Sequence, residues 1–583
     1  MKTLLEFLKK HYALYLAGTL AMLAGVILDM FNPMLVQRII DDVIVGGNTG
    51  LFTGIVLALA GITAGRAVSG YFKEYMFDMA SSSIIAKFRI RLFDHIQRQS
   101  FSFFDKINTG ELMSRMKEDT ENVMNVICFG IMLLTEQVLY FIIASVILFS
   151  ISWKLAAVSL VMMPVIAFIA LKLEKRIGKA FEKISDQRAV LNTTAQENLA
   201  GVRLVKAFGR EKHEIGKFLR QNEEISRLNI EQSHIWAKFQ PLMDYFTNAV
   251  SILVISVGGF LVIGGEMSVG TLVSFNLYAF MLVWPMRVIG WLVNMMAQCV
   301  ASLKKIDKIF AEEPDIKNPP DALYPDNIDG HIEFRDVTLT LDGNDILRNI
   351  SFEVKPGSTV AIMGGTGSGK SSLVHLIGRY YDSTSGSILV DGHDVREYDL
   401  QALRRGISVV MQDVFLFSDT IRENIIFGRD EDSGYDEKMI LASRDAHIHD
   451  FITGTRDGYE TVIGERGIGL SGGQKQRISI ARAMARECGI LILDDSTSAL
   501  DVETEQQIQE SISRKHGMTK IIIAHRVSAA KNADEILFLD DGRIAERGTH
   551  KELLDMRGRY YETYMIQFNG LFADTYQGEN LCR

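Results

Sequence analysis

Close pairs of cysteine are missing from this sequence. Its four cysteines (Cys128, Cys299, Cys488 and Cys582) stand far apart among 583 residues, which excludes the zinc and redox motifs that need neighbouring thiols and leaves structural roles for all four. An excess of positive charge is missing as well: 62 Lys and Arg face 71 Asp and Glu, a formal net charge of -9, so no nucleic acid is expected as a partner. Nor does a small-residue cleavage site follow the opening MKTLLEFLKK. The apolar run that comes next therefore reads as a retained membrane span rather than the core of a signal peptide.

What is present divides in two. A chain this long exceeds the roughly 250 to 300 residues at which single cores stop growing, so at least two domains are expected. The first half carries long apolar stretches, and six of them approach the ~20 residues a span requires: roughly 13–35, 51–72, 126–150, 155–173, 243–263 and 270–299. Before them, residues 1–10 alternate apolar and basic groups, as in a short helix lying on the inner membrane surface. The long connectors after spans two and four are rich in basic residues, among them Lys87, Arg89, Arg91, Lys175, Arg176 and Arg203. The positive-inside rule makes them cytoplasmic. Both keep a helical apolar period, so the spans are expected to continue inward as levers, with the turning segments Asn108–Met116 and Gly201–Glu211 able to dock on a soluble domain. Glu136 and Gln137 in span three, and Arg287 in span six, stand out because charge inside a membrane is expensive. A helix partner, a water-filled gap or the substrate could each account for them.

After Phe310 a segment rich in Pro, Asp and Asn reads as a linker, and a soluble α/β region starts near His331. Two apolar strand-like runs follow, the second being Ser358–Met363, and it leads into GGTGSGKSS: Gly364, Gly365, Thr366, Gly367, Ser368, Gly369, Lys370, Ser371, Ser372. This is the strand-to-helix setting of a phosphate-binding loop. Its glycines let main-chain N–H groups turn inward onto phosphate, and the helix N-terminus adds partial positive charge. Lys370 would reach the β and γ phosphates of ATP and Ser371 would offer its hydroxyl to Mg²⁺. The apolar strand LILDD ends in Asp494, placed to hold the same ion, while LSGGQ carries Ser471, Gly472, Gly473 and Gln474 at the start of the helix KQRISIARAMA, a second helix N-terminus suited to an anion.

In combination these features resemble the ATP-binding-cassette family, and its exporter branch in particular, over nearly the whole chain. The resemblance implies an α-helical membrane domain with six transmembrane helices over 1–310, a linker over 311–330, an α/β P-loop ATP-binding-cassette domain over 331–570 and a C-terminal tail over 571–583. It further implies that Gln412 senses Mg²⁺, that Ser498–Asp501 cross a dimer interface, that His525 contacts the γ phosphate, and that Gly464–Gly467 relay conformational change. Members sandwich two ATP molecules between two such domains, each between the phosphate loop of one and the LSGGQ of the other. This chain has one, so a second half is expected as its partner.

Two positions depart from the family. Where a catalytic glutamate usually follows the Mg²⁺-binding aspartate, this chain has Asp495, one methylene shorter, and slow hydrolysis is expected at its own site. Leu341 stands where an aromatic residue normally stacks on adenine. A damaged carboxylate beside an intact LSGGQ suggests a heterodimer whose other chain carries the glutamate. A homodimer with two slow sites, or an Asp495 that works from a repacked backbone, remains the alternative. The expected activity is ATP-driven export of amphipathic small molecules or lipids across the inner (plasma) membrane, with the ATP-binding domain in the cytoplasm. Import of a siderophore or other metal chelate through the same fold is the competing direction, and substrate identity is not readable. The absence of an N-terminal peptidase region argues against leader-peptide export.

Overall fold

A computed structural model of the chain describes residues 9–427, 435–464, 467–497, 499–515 and 517–567. Most of the expected surface helix over 1–10, Glu465 and Arg466 of the relay segment, Ser498 of the interface loop, and the tail 571–583 with Cys582 lie outside these residues. The chain forms two compact units, Met1–Arg98 with Ile107–Glu313, and Gln99–Lys106 with Pro314–Arg583.

The first unit contains six helices long and apolar enough to cross a membrane: α1 (Tyr12–Val45), α2 (Gly50–Gln97), α4 (Thr109–Ile151), α5 (Trp153–Ala200), α7 (Glu211–Ile263) and α8 (Val269–Ala311). Between them lie the short helices α3 (Phe101–Lys106) and α6 (Val202–Ala207). The helices outrun the apolar stretches read from sequence: α2 and α5 have 48 residues each and α7 has 53. At a rise of 1.5 Å per residue such helices are roughly 70 to 80 Å long, more than twice a hydrocarbon core of about 30 Å. All six contribute to one core, with Met22 and Val26 of α1, Phe77 of α2, Leu148 of α4, Leu155 of α5, Val254 of α7 and Phe275 of α8 each at most 2 % exposed.

The second unit is built on two sheets. The antiparallel one has the order β2-β1-β4-β5, from β1 (Ile332–Leu341), β2 (Asn344–Val354), β4 (Ser385–Val390) and β5 (His393–Asp394). The larger has the order β10-β9-β3-β8-β7-β6, from β3 (Thr359–Gly364), β6 (Ile407–Val410), β7 (Ile490–Asp494), β8 (Thr519–Ile523), β9 (Glu535–Asp540) and β10 (Arg543–Gly548). Three strands precede the phosphate loop where two were expected from sequence. The extra one is β2, which returns along β1 through Asp342 and Gly343, both left-handed at φ 49° and 80°, the two-residue turn that suits the twist of a hairpin. Its alternation is interrupted at Asn349, itself left-handed at φ 50°, which obscures it in the sequence. The segment 311–330 is packed rather than loose: Ile316 and Ile328 are buried, and Leu323 exchanges main-chain bonds with Glu397 (2.8 Å) and Asp399 (3.0 Å).

The helix α3 belongs to this second unit although it follows α2 in sequence. Phe101 stacks on Tyr380 with ring centroids 4.6 Å apart, and the Tyr381 hydroxyl donates to Asp105 at 2.8 Å.

Within the membrane unit the flagged charges are paired. Glu136 accepts from Lys73 at 3.1 Å, Arg287 lies 3.0 Å from Asp244, and Gln137 is buried. A further cluster had escaped the sequence reading: the Asp29 carboxylate accepts from Arg66 at 2.6 Å, from Asn32 at 3.0 Å and from the Tyr140 hydroxyl at 2.9 Å. The Asp29 side chain is 10 % exposed and that of Arg66 54 %, so one buried carboxylate ties α1 to α2 and α4. Replacing it strands a guanidinium among apolar helices. Asp29→Ala is expected to destabilise the membrane unit by about 2 kcal/mol, between the values for exposed and buried pairs, and Asp29→Asn by less. Thermal unfolding of the purified protein in detergent would check the order, and equal melting temperatures for wild type and Asp29→Ala would refute it.

Candidate nucleotide site

The strand β3 runs directly into the loop Gly364–Gly369, and helix α9 (Lys370–Ile377) begins at its end. The loop is walled by main chain on two sides. Gly364 has φ 144° and a Cβ there would collide with the Leu539 carbonyl of β9, while at Gly369 (φ 96°) a Cβ would come within 2.7 Å of Leu347 and 2.9 Å of the Ile346 carbonyl in β2. Only glycine fits such an approach with positive φ. Gly365, Thr366 and Gly367 form the exposed rim and Ser368 is buried, its hydroxyl without a partner among the described atoms. Ser371 and Ser372 lie in the first turn of α9, both half-buried.

Lys370 folds back over the loop and donates from Nζ to the carbonyls of Gly364 (3.0 Å) and Gly365 (2.7 Å). Burial lowers its pKa, opposed by the charges of Asp494 and Asp495. Asp494 ends β7 and is 4 % exposed; burial raises its pKa, opposed by a hydrogen bond from the Ser371 hydroxyl and by the charges of His375 and Lys370. Ser371 and Asp494 thus form a pair of hard oxygen donors beside the loop. That pair fits Mg²⁺, which is usually held by only one or two protein groups, with water and phosphate completing the shell.

Strand order explains why these groups meet. β3, β8 and β7 are neighbours and parallel, so the loop after each opens on the same edge, as is usual for ligand sites in parallel sheets. After β7 comes Asp495, left-handed at φ 43°, its N–H bonded to the Ile523 carbonyl at 3.2 Å. After β8 comes His525, which shares with Asp495 the lining of a cavity of about 300 Å³. Gln412 follows β6, on the far side of β7, and is exposed. Leu341 closes β1 at the hairpin turn, half-buried against the core that includes Leu347.

The LSGGQ segment opens a different helix. The helix α10 (Gly472–Met484) begins inside the motif rather than after it, because Ser471 and Gln474 cap it reciprocally: Ser471 N–H donates to Gln474 Oε1 at 2.8 Å and Gln474 N–H to Ser471 Oγ at 3.3 Å. Such a box satisfies two of the helix's first donors. Ser471 and Gly472 are exposed, and Gly473 packs close to the Ala499 carbonyl on the loop after β7. The structure therefore brings Lys370, Ser371, Asp494, Asp495 and His525 to one strand edge, while Ser471–Gln474 open a separate helix, α10.

Several polar residues around this edge went unnoticed in the sequence. Thr497 donates to Glu505 at 2.7 Å, Arg526 lies 3.4 Å from the same carboxylate, and Gln567 bonds the main chain of His525. Glu505 and Gln567 sit on ordinary amphipathic helices, and no local pattern marks them.

Two family models match the chain, "ABC transporter transmembrane region" over residues 14–286 and "ABC transporter" over residues 347–498. Among curated proteins the chain is similar to the "ATP-dependent lipid A-core flippase" of Syntrophus aciditrophicus (strain SB), 36% identical over 569 residues that cover 97% of this chain and 94% of that one. It is also similar to the "Putative multidrug export ATP-binding/permease protein YgaD" of Bacillus subtilis (strain 168), 34% identical over 97% of this chain and 99% of that one. Among solved structures, a bacterial Atm1-family ABC exporter with ATP bound superposes with a TM-score of 0.81 at 27% identity, covering 96% of this chain and 98% of that one. Six apolar helices followed by a phosphate-loop domain, matched along almost their full length, place this chain in the ATP-binding-cassette exporter family, with the membrane and ATP-binding domains fused in one polypeptide.

Proposed function

We propose that this chain is one half of a dimeric exporter of amphipathic small molecules or lipids in the plasma membrane, driven by ATP with Mg²⁺, and that its other half is a different chain with a glutamate in place of Asp495. The observation that carries the dimer is the N-terminus of α10, held by its own capping box and exposed at Ser471 and Gly472. It completes a site only when a second ATP-binding domain supplies the phosphates. The turn at α6 agrees with this, because Leu204 and Phe208 are exposed at 63% and 73%, a degree that favours burial against another chain. The ion-paired cluster around Asp29 and Arg66 in otherwise apolar helices suits a cargo with both polar and apolar parts. The flippase and the multidrug exporter among the relatives point to the same class of cargo.

In this reading ATP favours the closed pair of domains because LSGGQ touches nucleotide only there, and a ligand that bound both states equally would shift nothing. The phosphate loop and Lys370 hold the phosphates, Ser371, Asp494 and Gln412 hold Mg²⁺, and Leu341 lies against the base. Mg²⁺ when bound offsets the charge that develops on the phosphates. Asp495 orients the attacking water and His525 contacts the γ phosphate. A second reading, a homodimer in which Asp495 is fully competent, draws support from the left-handed backbone at 495. Aspartate tolerates that region better than most residues, and the main-chain conformation at 495 sets where the shorter carboxylate points.

Purification of the tagged chain from its native membranes, with identification of any stoichiometric companion, separates the two. A companion half-exporter with glutamate at that position supports the heterodimer; a self-paired, ATP-hydrolysing chain refutes it. In the heterodimer, Asp495→Glu is expected to raise hydrolysis at this chain's site about 10- to 100-fold, read as faster loss of ATP trapped on this chain, and unchanged trapping would count against an impaired carboxylate.

Asp494 generates a separate expectation. Its folded pKa is raised by burial, so the stability it contributes is full below the ordinary carboxylate range and is lost as pH rises through the raised value. Asp494→Asn should therefore raise the melting temperature of the nucleotide-free protein at neutral pH. The same change should remove most of the ~2.7 kcal/mol that Mg²⁺-ATP confers at a hundredfold excess over Kd. A variant that melts lower without nucleotide and still responds to Mg²⁺-ATP would contradict both parts.

A further inference from the structure

His525 lies on the short turn between β8 and helix α12 (Val527–Ala530), following α11 (Val502–Ser513) in sequence, and its imidazole is exposed. A side chain so placed reaches a ligand only as reproducibly as its main chain is held. Two anchors hold it. On one side Arg526 Nη1 is 3.4 Å from Glu505 of α11, a carboxylate that also accepts from Thr497, two residues beyond Asp495.

On the other side stands the end of the chain's described part. The helix α13 (His550–Met556) is followed by a helix α14 (559–567). Tyr560 of α14 is fully buried in a core with Ala361, Met363, Val527 and Phe538, and its hydroxyl meets His550 Nδ1 at 2.6 Å. That anchor aims the last residue of α14 at the turn. Gln567 Nε2 donates to the His525 carbonyl at 2.8 Å, and Gln567 Oε1 accepts from the Val527 N–H at 2.9 Å. One carboxamide thus uses both its halves on the main chain flanking Arg526. The second bond is a helix cap supplied from 40 residues away, since α12 has no side-chain cap of its own and its first N–H groups need acceptors.

We propose that Gln567 is a positioning residue for the nucleotide: by clamping the main chain at 525 and 527 it sets the point from which His525 reaches the γ phosphate. This rests on the reading of His525 given under the proposed function. The clamp ties nucleotide sensing to the C-terminal helix, so the same helix that packs the edge of the sheet also tunes how firmly ATP, and not ADP, is held. A bond that only fastened α14 to the domain would affect both nucleotides alike.

The test compares ATP and ADP affinity of this chain in the assembled transporter, using photo-crosslinkable analogues of each nucleotide. Gln567→Met keeps the length of the side chain and removes both hydrogen bonds. It is expected to weaken ATP binding about fivefold, the scale of one net hydrogen bond, with ADP binding unchanged. Gln567→Glu keeps the acceptor for Val527 and loses the donor to His525, and should show the same ATP-selective loss. His525→Ala should reproduce the ATP-selective loss, and the His525→Ala, Gln567→Met pair should be no weaker than the worse single change. If His525→Ala weakens ATP and ADP equally, the γ-phosphate role of His525 is wrong and the proposal falls with it. If His525→Ala is ATP-selective while the Gln567 variants change neither nucleotide or both alike, the role of His525 stands and Gln567 is a structural residue only.

Discussion

An ammonium and a carboxylate buried together at the end of parallel strands set the terms for the rest of the ATP-binding domain. Lys370 begins α9 after the loop that follows β3, Asp494 ends β7, and the two strands are separated only by β8. Each is disfavoured as a charge by its burial, and each relieves the other. The main-chain carbonyls of Gly364 and Gly365 accept hydrogen bonds from Lys370 Nζ, and the Ser371 hydroxyl donates to Asp494. A polyphosphate with a divalent cation would bring both signs of charge and match both partners, so the arrangement, expensive in a protein interior, is suited to such a ligand.

The same strand edge explains the placement of the remaining groups. His525 follows β8, β7 continues into Asp495, and β6 leads to Gln412, so the loops after four parallel strands open along one edge. The helix start at Ser471 is a separate construction, built by a local capping box rather than by the parallel strand ends.

The six spans and the phosphate loop were legible in the sequence because each is a local signal. A run of apolar residues must be helical to satisfy its own backbone in a bilayer, and the Gly364–Ser371 spacing has a chemical reason at every position. Other features were illegible for equally physical reasons. The strand β2 contains Asn349 in a left-handed conformation that breaks its alternation. The segment 311–330 has a linker's composition, yet buried Ile316 and Ile328 and the main-chain bonds of Leu323 to distant Glu397 and Asp399 fasten it. The cluster of Asp29, Arg66 and Tyr140 joins three helices through residues separated by up to 111 positions, a relation that no window along the chain can contain.

Composition and spacing by themselves determined that this chain carries six apolar stretches of membrane-spanning length and one phosphate-binding loop, and the family resemblance marked the carboxylate at position 495 as one methylene short. Those are properties of neighbouring residues, and hydrophobic length, glycine placement and side-chain reach are written one after another. Only the tertiary structure decided which charges are paired, that Asp495 has a left-handed main chain, and that Gln567 grips the turn bearing His525. Such facts depend on which strand ends lie side by side and which helix faces them, and hydrogen bonds across that distance leave no trace in the order of residues.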